Sequence, residues 1–188
     1  MELTRSLVEE RAAEYDEEEP FVPVEEENVE TLPGAFREGE FGFRDAEWVV
    51  QWFYRRPSGT YSNREQRERE GRFAENDRQA VRRAVIDAAT GGSVAERIDR
   101  LRELDGVDLP VASAFLFFSD TDRYIVVGPR EWGVLESAGE IEGAYPDPPD
   151  LSEYERYLDR CRTLSDRFGC DMWTLYRALW RICDEEAN

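Results

Sequence analysis

Along most of the chain, apolar residues recur every three to four positions, the period of a helix with one buried face. Leu3 to Tyr15 is expected to form a short amphipathic helix. Asp16 to Gly42 breaks the pattern, because it is acidic and holds Pro20, Pro23 and Pro33. It reads as an arm lying over the rest of the chain, anchored by Phe21, Val22, Val24, Leu32 and Phe36, with its Glu-rich parts solvated. From Asp45, a natural N-cap, Trp48, Val49, Trp52 and Phe53 share a helical face that should stop at Arg55-Arg56-Pro57. Residues 58–72 are polar and read as a loop or an exposed helix. A further helix carries Val81, Ala84, Val85 and Ala88 and ends at Gly91-Gly92. Ser93 and Glu96 form a capping box for the next, with Val94, Ile98, Leu101 and Leu104 inward.

Leu104 to Leu116 is the most informative stretch. A helix ends at Gly106, and another begins within four residues with Pro110 in its first turn, where proline is tolerated. Ala112, Ser113 and Ala114 are small enough to let two helices approach closely. The reading is an αα-hairpin with Gly106 at positive φ. Tyr124 to Val127 reads as a buried extended segment, broken by Gly128-Pro129 and followed by a short helix around Trp132 and Leu135. Ser152 and Glu155 offer a capping box for a helix with Leu151, Tyr154, Leu158, Cys161, Ser165 and Phe168 at helical spacing. The last helix, Asp171 to Asp184, has two apolar stripes: Met172, Leu175, Leu179 and Ile182, and Trp173, Tyr176, Trp180 and Cys183. Such a helix should be buried on two sides. The expected fold is all-α, with an acidic helix and arm over 1–42 and a helical domain over 43–188.

Charge changes the picture. Acidic residues number 43 against 24 basic ones, a net charge of −19, and every basic residue is an arginine. Dense carboxylates with no lysine point to work in high salt, where repulsion is screened over about 3 Å at 1 M. An acidic total then does not exclude a nucleic-acid partner. Without histidine, Ser-His and Cys-His nucleophile systems and histidine metal ligands are excluded. Cys161, Cys170 and Cys183 lack zinc spacing and read as small buried hydrophobes in a reducing cytoplasm. No apolar run suits a membrane span or a signal peptide, so a cytoplasmic location and no membrane partner are expected.

The hairpin Gly106-Val107-Asp108-Leu109-Pro110-Val111-Ala112-Ser113-Ala114-Phe115-Leu116 resembles that of the helix-hairpin-helix DNA glycosylases. Three further blocks extend the likeness to one branch of that superfamily, in the right order: Trp52 to Arg56, Arg123 to Trp132, and Cys161-Arg162 with Asp171 to Trp180. The likeness covers roughly residues 45–183. It implies a two-lobed all-α domain with a cleft, and a hairpin whose backbone N–H groups hold a DNA phosphate. A monovalent cation at the hairpin is the only cofactor it implies. Gly128 and Trp132 would line the cleft that takes a flipped base.

The chain departs from that family at its chemistry. Gly128 stands where the family has its catalytic aspartate, and glycine supplies no general base. No lysine exists to form a Schiff base. Asp108 replaces a hairpin glycine, and Tyr176 replaces a C-terminal carboxylate. Glu131 is the candidate for a displaced catalytic carboxylate. Gly106, Val107 and Asp108, with Arg55, Arg56 and Arg130, are the candidate DNA contacts, since arginine binds phosphate bidentately. Trp180 is a candidate to stack on a base. The leading expectation is a non-catalytic, glycosylase-like protein with weak DNA or nucleotide binding through 104–116. The alternatives are a protein-interaction scaffold with an unknown partner and a base-excision enzyme using Glu131.

Overall fold

The computed structural model describes residues 1–57 and 61–186, with side chains as far as Cys183. The described residues form ten α-helices and no strand, as the periodicity requires. They divide into two compact units. One comprises residues 1–27 with 121–188, the other residues 28–120.

The first unit is built on α10 (Met172–Glu186), which packs against α1 (Arg5–Glu18), α8 (Pro129–Ser137) and α9 (Leu151–Phe168). Both expected apolar stripes of α10 are buried as far as Ile182, and Cys183 is partly exposed. α1 buries Val8, Ala12 and Tyr15. The Tyr15 ring meets Trp173 and Tyr176 edge-on at 5.9 and 6.4 Å. The extended segment 124–127 is fully buried, and side chains satisfy two of its carbonyls. The hydroxyls of Tyr154 and Tyr157 donate to the carbonyls of Ile125 and Val126, at 3.3 and 3.0 Å. Burial raises the Tyr157 hydroxyl well above its ordinary pKa and pushes the Cys161 thiol beside it up to about 12.

The second unit comprises α3 (Phe43–Arg55), α4 (Asn63–Ala74), α5 (Arg78–Thr90), α6 (Val94–Arg102) and α7 (Leu109–Ser119). α7 is its centre, since every one of its residues is buried. Trp52 of α3 stacks on Phe117 at 6.2 Å and meets Phe118 edge-on at 4.8 Å.

The arm expected over 16–42 is mostly helix. α2 (Val22–Glu38) counts with the first unit up to Glu27 and with the second from Asn28. Of its expected anchors, Val22, Leu32 and Phe36 are buried, whereas Phe21 and Val24 are exposed. Pro23 falls in the first turn, where its missing N–H costs nothing. Pro33 is inside the helix. The apolar face carrying Leu32 and Phe36 outweighs the hydrogen bond that Pro33 cannot make. Two helix starts also differ from expectation. Asp45 is the third residue of α3, where its carboxylate accepts the Gly42 N–H at 2.7 Å. Asp150 with Glu153, rather than Ser152 with Glu155, caps α9. The Ser93–Glu96 box caps α6 as expected.

Candidate functional site

The turn between α6 and α7 is the site on which the sequence focused attention. Gly106 has φ +80°, a conformation that a side chain disfavours. Space forbids one as well: a Cβ at 106 would come within 2.9 Å of the Phe73 N and 3.0 Å of the Arg69 O. The backbone of α4 therefore lies directly against the turn. Asn76, just beyond α4, clamps the turn from the same side. Its side chain donates to the Asp105 carbonyl at 2.8 Å and accepts the Asp105 N–H at 2.9 Å. Asp108 N-caps α7, accepting the Val111 N–H at 3.1 Å.

A hollow of about 510 Å³ opens at this turn, lined by Gly106, Val107 and Asp108, by Tyr54 of α3, and by Glu65, Glu68, Arg69 and Arg72 of α4. Arg69 organises it. Its guanidinium lies over the Tyr54 and Tyr61 rings, at 5.4 and 5.5 Å, and pairs with Asp108 at 3.6 Å. Burial, then the nearby Asp108 charge, pushes the Tyr54 hydroxyl up to about 12, against the opposing pull of Arg69. Both members of the Arg69–Asp108 pair are over two-fifths exposed, so their attraction is weak and open to competition.

The arginines expected beside the turn are engaged elsewhere. Arg55 makes a two-pronged pair with Glu70, at 2.7 and 2.6 Å, and does not line the hollow. Arg56 is buried. Arg69 and Arg72 line the hollow instead, Arg72 paired with Glu68 at 2.7 Å. They lie in the stretch 58–72 that read as a loop or an exposed helix, and α4 is the exposed helix; residues 58–60 are outside the described residues. The Ser62–Glu65 capping box that opens α4 is the sequence signal that could have placed them on a helix.

The remaining candidates belong to the first unit. Gly128 is the N-cap of α8 in an extended conformation, φ −151° and ψ 167°. A Cβ there would stand 2.6 Å from Oε2 of Glu131, which is only 4% exposed. The Glu131 carboxylate thus fills the space that a side chain at 128 would enter. Trp132 is fully buried; it stacks on Tyr157 at 5.8 Å, and its Nε1 donates to the Gly143 carbonyl at 2.7 Å. Gly128 and Trp132, expected to line a cleft, are both buried. Arg130 lies over the Trp180 ring, 4.0 Å from its centroid.

Among the described residues no group of three or more cysteines, aspartates or glutamates is arranged to hold a metal ion, and no helix is long and apolar enough to cross a membrane. No protein-family model, curated protein or solved structure matches the chain.

Proposed function

We propose that this chain is a helix-hairpin-helix protein that holds a phosphate of the DNA backbone at the α6–α7 turn and releases no base. The observation that carries the reading is the hollow at that turn, where Arg69 and Arg72 stand beside the N-terminus of α7. A helix N-terminus attracts anions through its dipole, and two guanidiniums add charge-assisted hydrogen bonds. The four blocks of resemblance support the same reading. A phosphate entering the hollow competes with Asp108 for Arg69, which keeps affinity low. Asp108 also opposes the phosphate directly, and a salt-rich setting removes most of the counterion-release contribution.

The test is a fluorescence anisotropy titration of labelled duplex DNA at moderate salt. Asp108→Gly should bind about fivefold more tightly than the wild type, because one repulsive charge near a phosphate is worth about 1 kcal/mol. Glycine keeps most of the N-cap, so the variant should stay folded. Arg69→Gln should abolish the gain. No association by either the wild type or Asp108→Gly would end this reading and leave the fold as an interaction scaffold.

A second reading has one observation in its favour. The Glu131 carboxylate lies where a side chain at 128 would begin, at the N-terminus of α8. Base release by the wild type that disappears in Glu131→Gln would establish an excision enzyme with a displaced carboxylate. The burial of Glu131 ranks it second, because a catalytic carboxylate must reach the substrate.

A further inference from the structure

The face that α4 turns to the hollow changes sign along its length. Glu65, Glu68, Arg69 and Arg72 follow one another at helical spacing, and all four line the hollow. The two acids stand toward the N-terminus of α4 and the two arginines beyond them, with Glu65 about 6 Å along the axis from Arg69. The Glu65 charge is fixed in place. Its carboxylate accepts the Ser62 hydroxyl and N–H at 2.7 and 2.9 Å, and those bonds hold it below the usual carboxylate range.

We propose that the hollow takes the phosphate monoester at the end of a DNA strand in preference to a phosphodiester within one, and that Tyr54 helps to set the preference. The inference rests on the reading of the α6–α7 turn as a phosphate site and names which phosphate the site selects.

Three observations carry it. First, carboxylates flank the arginines on two sides. Glu65 and Glu68 lie along α4, and Asp108 lies across from it, 3.6 Å from Arg69. Each strand of duplex DNA carries a phosphate about every 3.4 Å of axis. A phosphate within a strand brings a charged neighbour on either side toward these acids, whereas an end phosphate brings one. Second, the hollow is closed where the turn meets α4. A Cβ on Gly106 would already stand 2.9 Å from the Phe73 N and 3.3 Å from the Arg72 Cβ, so no strand passes between the turn and the helix. Third, the donors match the end group in number. Arg69, Arg72 and Tyr54 make three donor groups, and a monoester offers three unesterified oxygens where a diester offers two. Tyr54 is only 1% exposed, yet it lines the hollow. Burial keeps its phenol protonated well above neutral pH, so it can donate, and the Arg69 guanidinium beside it takes no proton. Glu68 and Asp108 hold the two arginines only through exposed pairs, and the second charge of a monoester makes it the stronger competitor for both.

The probe is a short blunt duplex with an internal fluorescein, prepared with hydroxyl ends, with 5′-phosphates or with 3′-phosphates, and titrated by anisotropy at moderate salt. Added phosphate should weaken binding to a chain of net charge −19 unless a site receives it. The proposal expects one of the two phosphorylated duplexes to bind about tenfold more tightly than the hydroxyl-ended one, equivalent to about 1.4 kcal/mol. Tyr54→Phe should cut that ratio to about threefold and leave the affinity for hydroxyl ends unchanged. Glu65→Gln/Glu68→Gln should also narrow the ratio, by admitting internal phosphates; glutamine at 65 keeps the capping box. A control at exposed positions of the other unit, Glu136→Gln/Glu155→Gln, should keep the wild-type ratio. Equal affinities for all three duplexes, or a ratio that neither hollow variant changes, overturns the proposal. If hydroxyl-ended DNA still binds, and binds Asp108→Gly more tightly, the hairpin reading survives that result. No association with any of the duplexes ends both.

Discussion

Gly128→Ala should destabilise the protein even though the backbone there suits alanine. With φ −151° and ψ 167°, residue 128 is in extended conformation, open to any side chain. Replacing glycine narrows the unfolded ensemble by about 0.4–1 kcal/mol, but residue 128 is the N-cap of α8, where alanine is poorer than glycine by a similar amount, so the two nearly cancel. Contact then decides the sign. The new Cβ would lie 2.6 Å from Oε2 of Glu131, and that carboxylate must retreat to at least 3.4 Å for ordinary contact. Glu131 is almost fully enclosed, so the movement disturbs close-packed surroundings. Overpacking of this kind costs about 1–3 kcal/mol, which leaves a net loss of about 1–2 kcal/mol. The assay is urea unfolding of four proteins at one salt concentration: wild type, Gly128→Ala, Glu131→Ala and the double variant. In the Glu131→Ala background the obstacle is gone, and Gly128→Ala should be close to neutral. A Gly128→Ala variant as stable as the wild type, or the same effect in both backgrounds, would refute the claim that Glu131 fills the space at 128.

Gly106→Ala should cost about 2–4 kcal/mol by the same unfolding assay, because it adds positive-φ strain to a clash with the α4 backbone; a loss below about 0.5 kcal/mol would contradict the close approach. Asn76→Ala removes both bonds to Asp105 and should cost about 1–3 kcal/mol, with hydrogen exchange quickening first at the Asp105 amide. Burial raises the Tyr54 hydroxyl from near 10 to about 12, so the folded state favours the neutral phenol. That contribution is complete below about pH 10 and is lost between about pH 10 and 12, and Tyr54→Phe should flatten this part of the stability profile. Cys161, raised to about 12 and fully buried, should resist alkylation in the native protein at pH 8, with Cys170 the faster of the two; equal labelling of both would contradict the packing of α9.

Helices whose apolar residues keep strict spacing were legible in the chain. So were signals that act over three or four residues, such as the Ser93–Glu96 box and the positive φ of Gly106. These features depend on local chemistry, which a sequence carries openly. α2 was not legible because Pro23 and Pro33 argue against a helix, while the burial of Leu32 and Phe36 that sustains it is tertiary. The candidate site was half legible. The turn stood out, but its partners did not, since Arg69 and Arg72 lie more than thirty residues earlier in a run crowded with arginine and glutamate. Nor could spacing show that Glu70 takes Arg55, or that the Glu131 side chain folds back over Gly128.

The central claim is that a DNA phosphate is held at the α6–α7 turn. The most direct measurement is a series of ¹H–¹⁵N correlation spectra of the wild-type protein as short duplex DNA is added at moderate salt. The account predicts graded, saturable shifts in the amides of Gly106 to Leu109 and in the Arg69 and Arg72 side-chain N–H groups. Gly106, Val107 and Asp108 line the hollow, as do Arg69 and Arg72. Shifts that leave all of these resonances in place, or no shifts at all at saturating DNA, would contradict it.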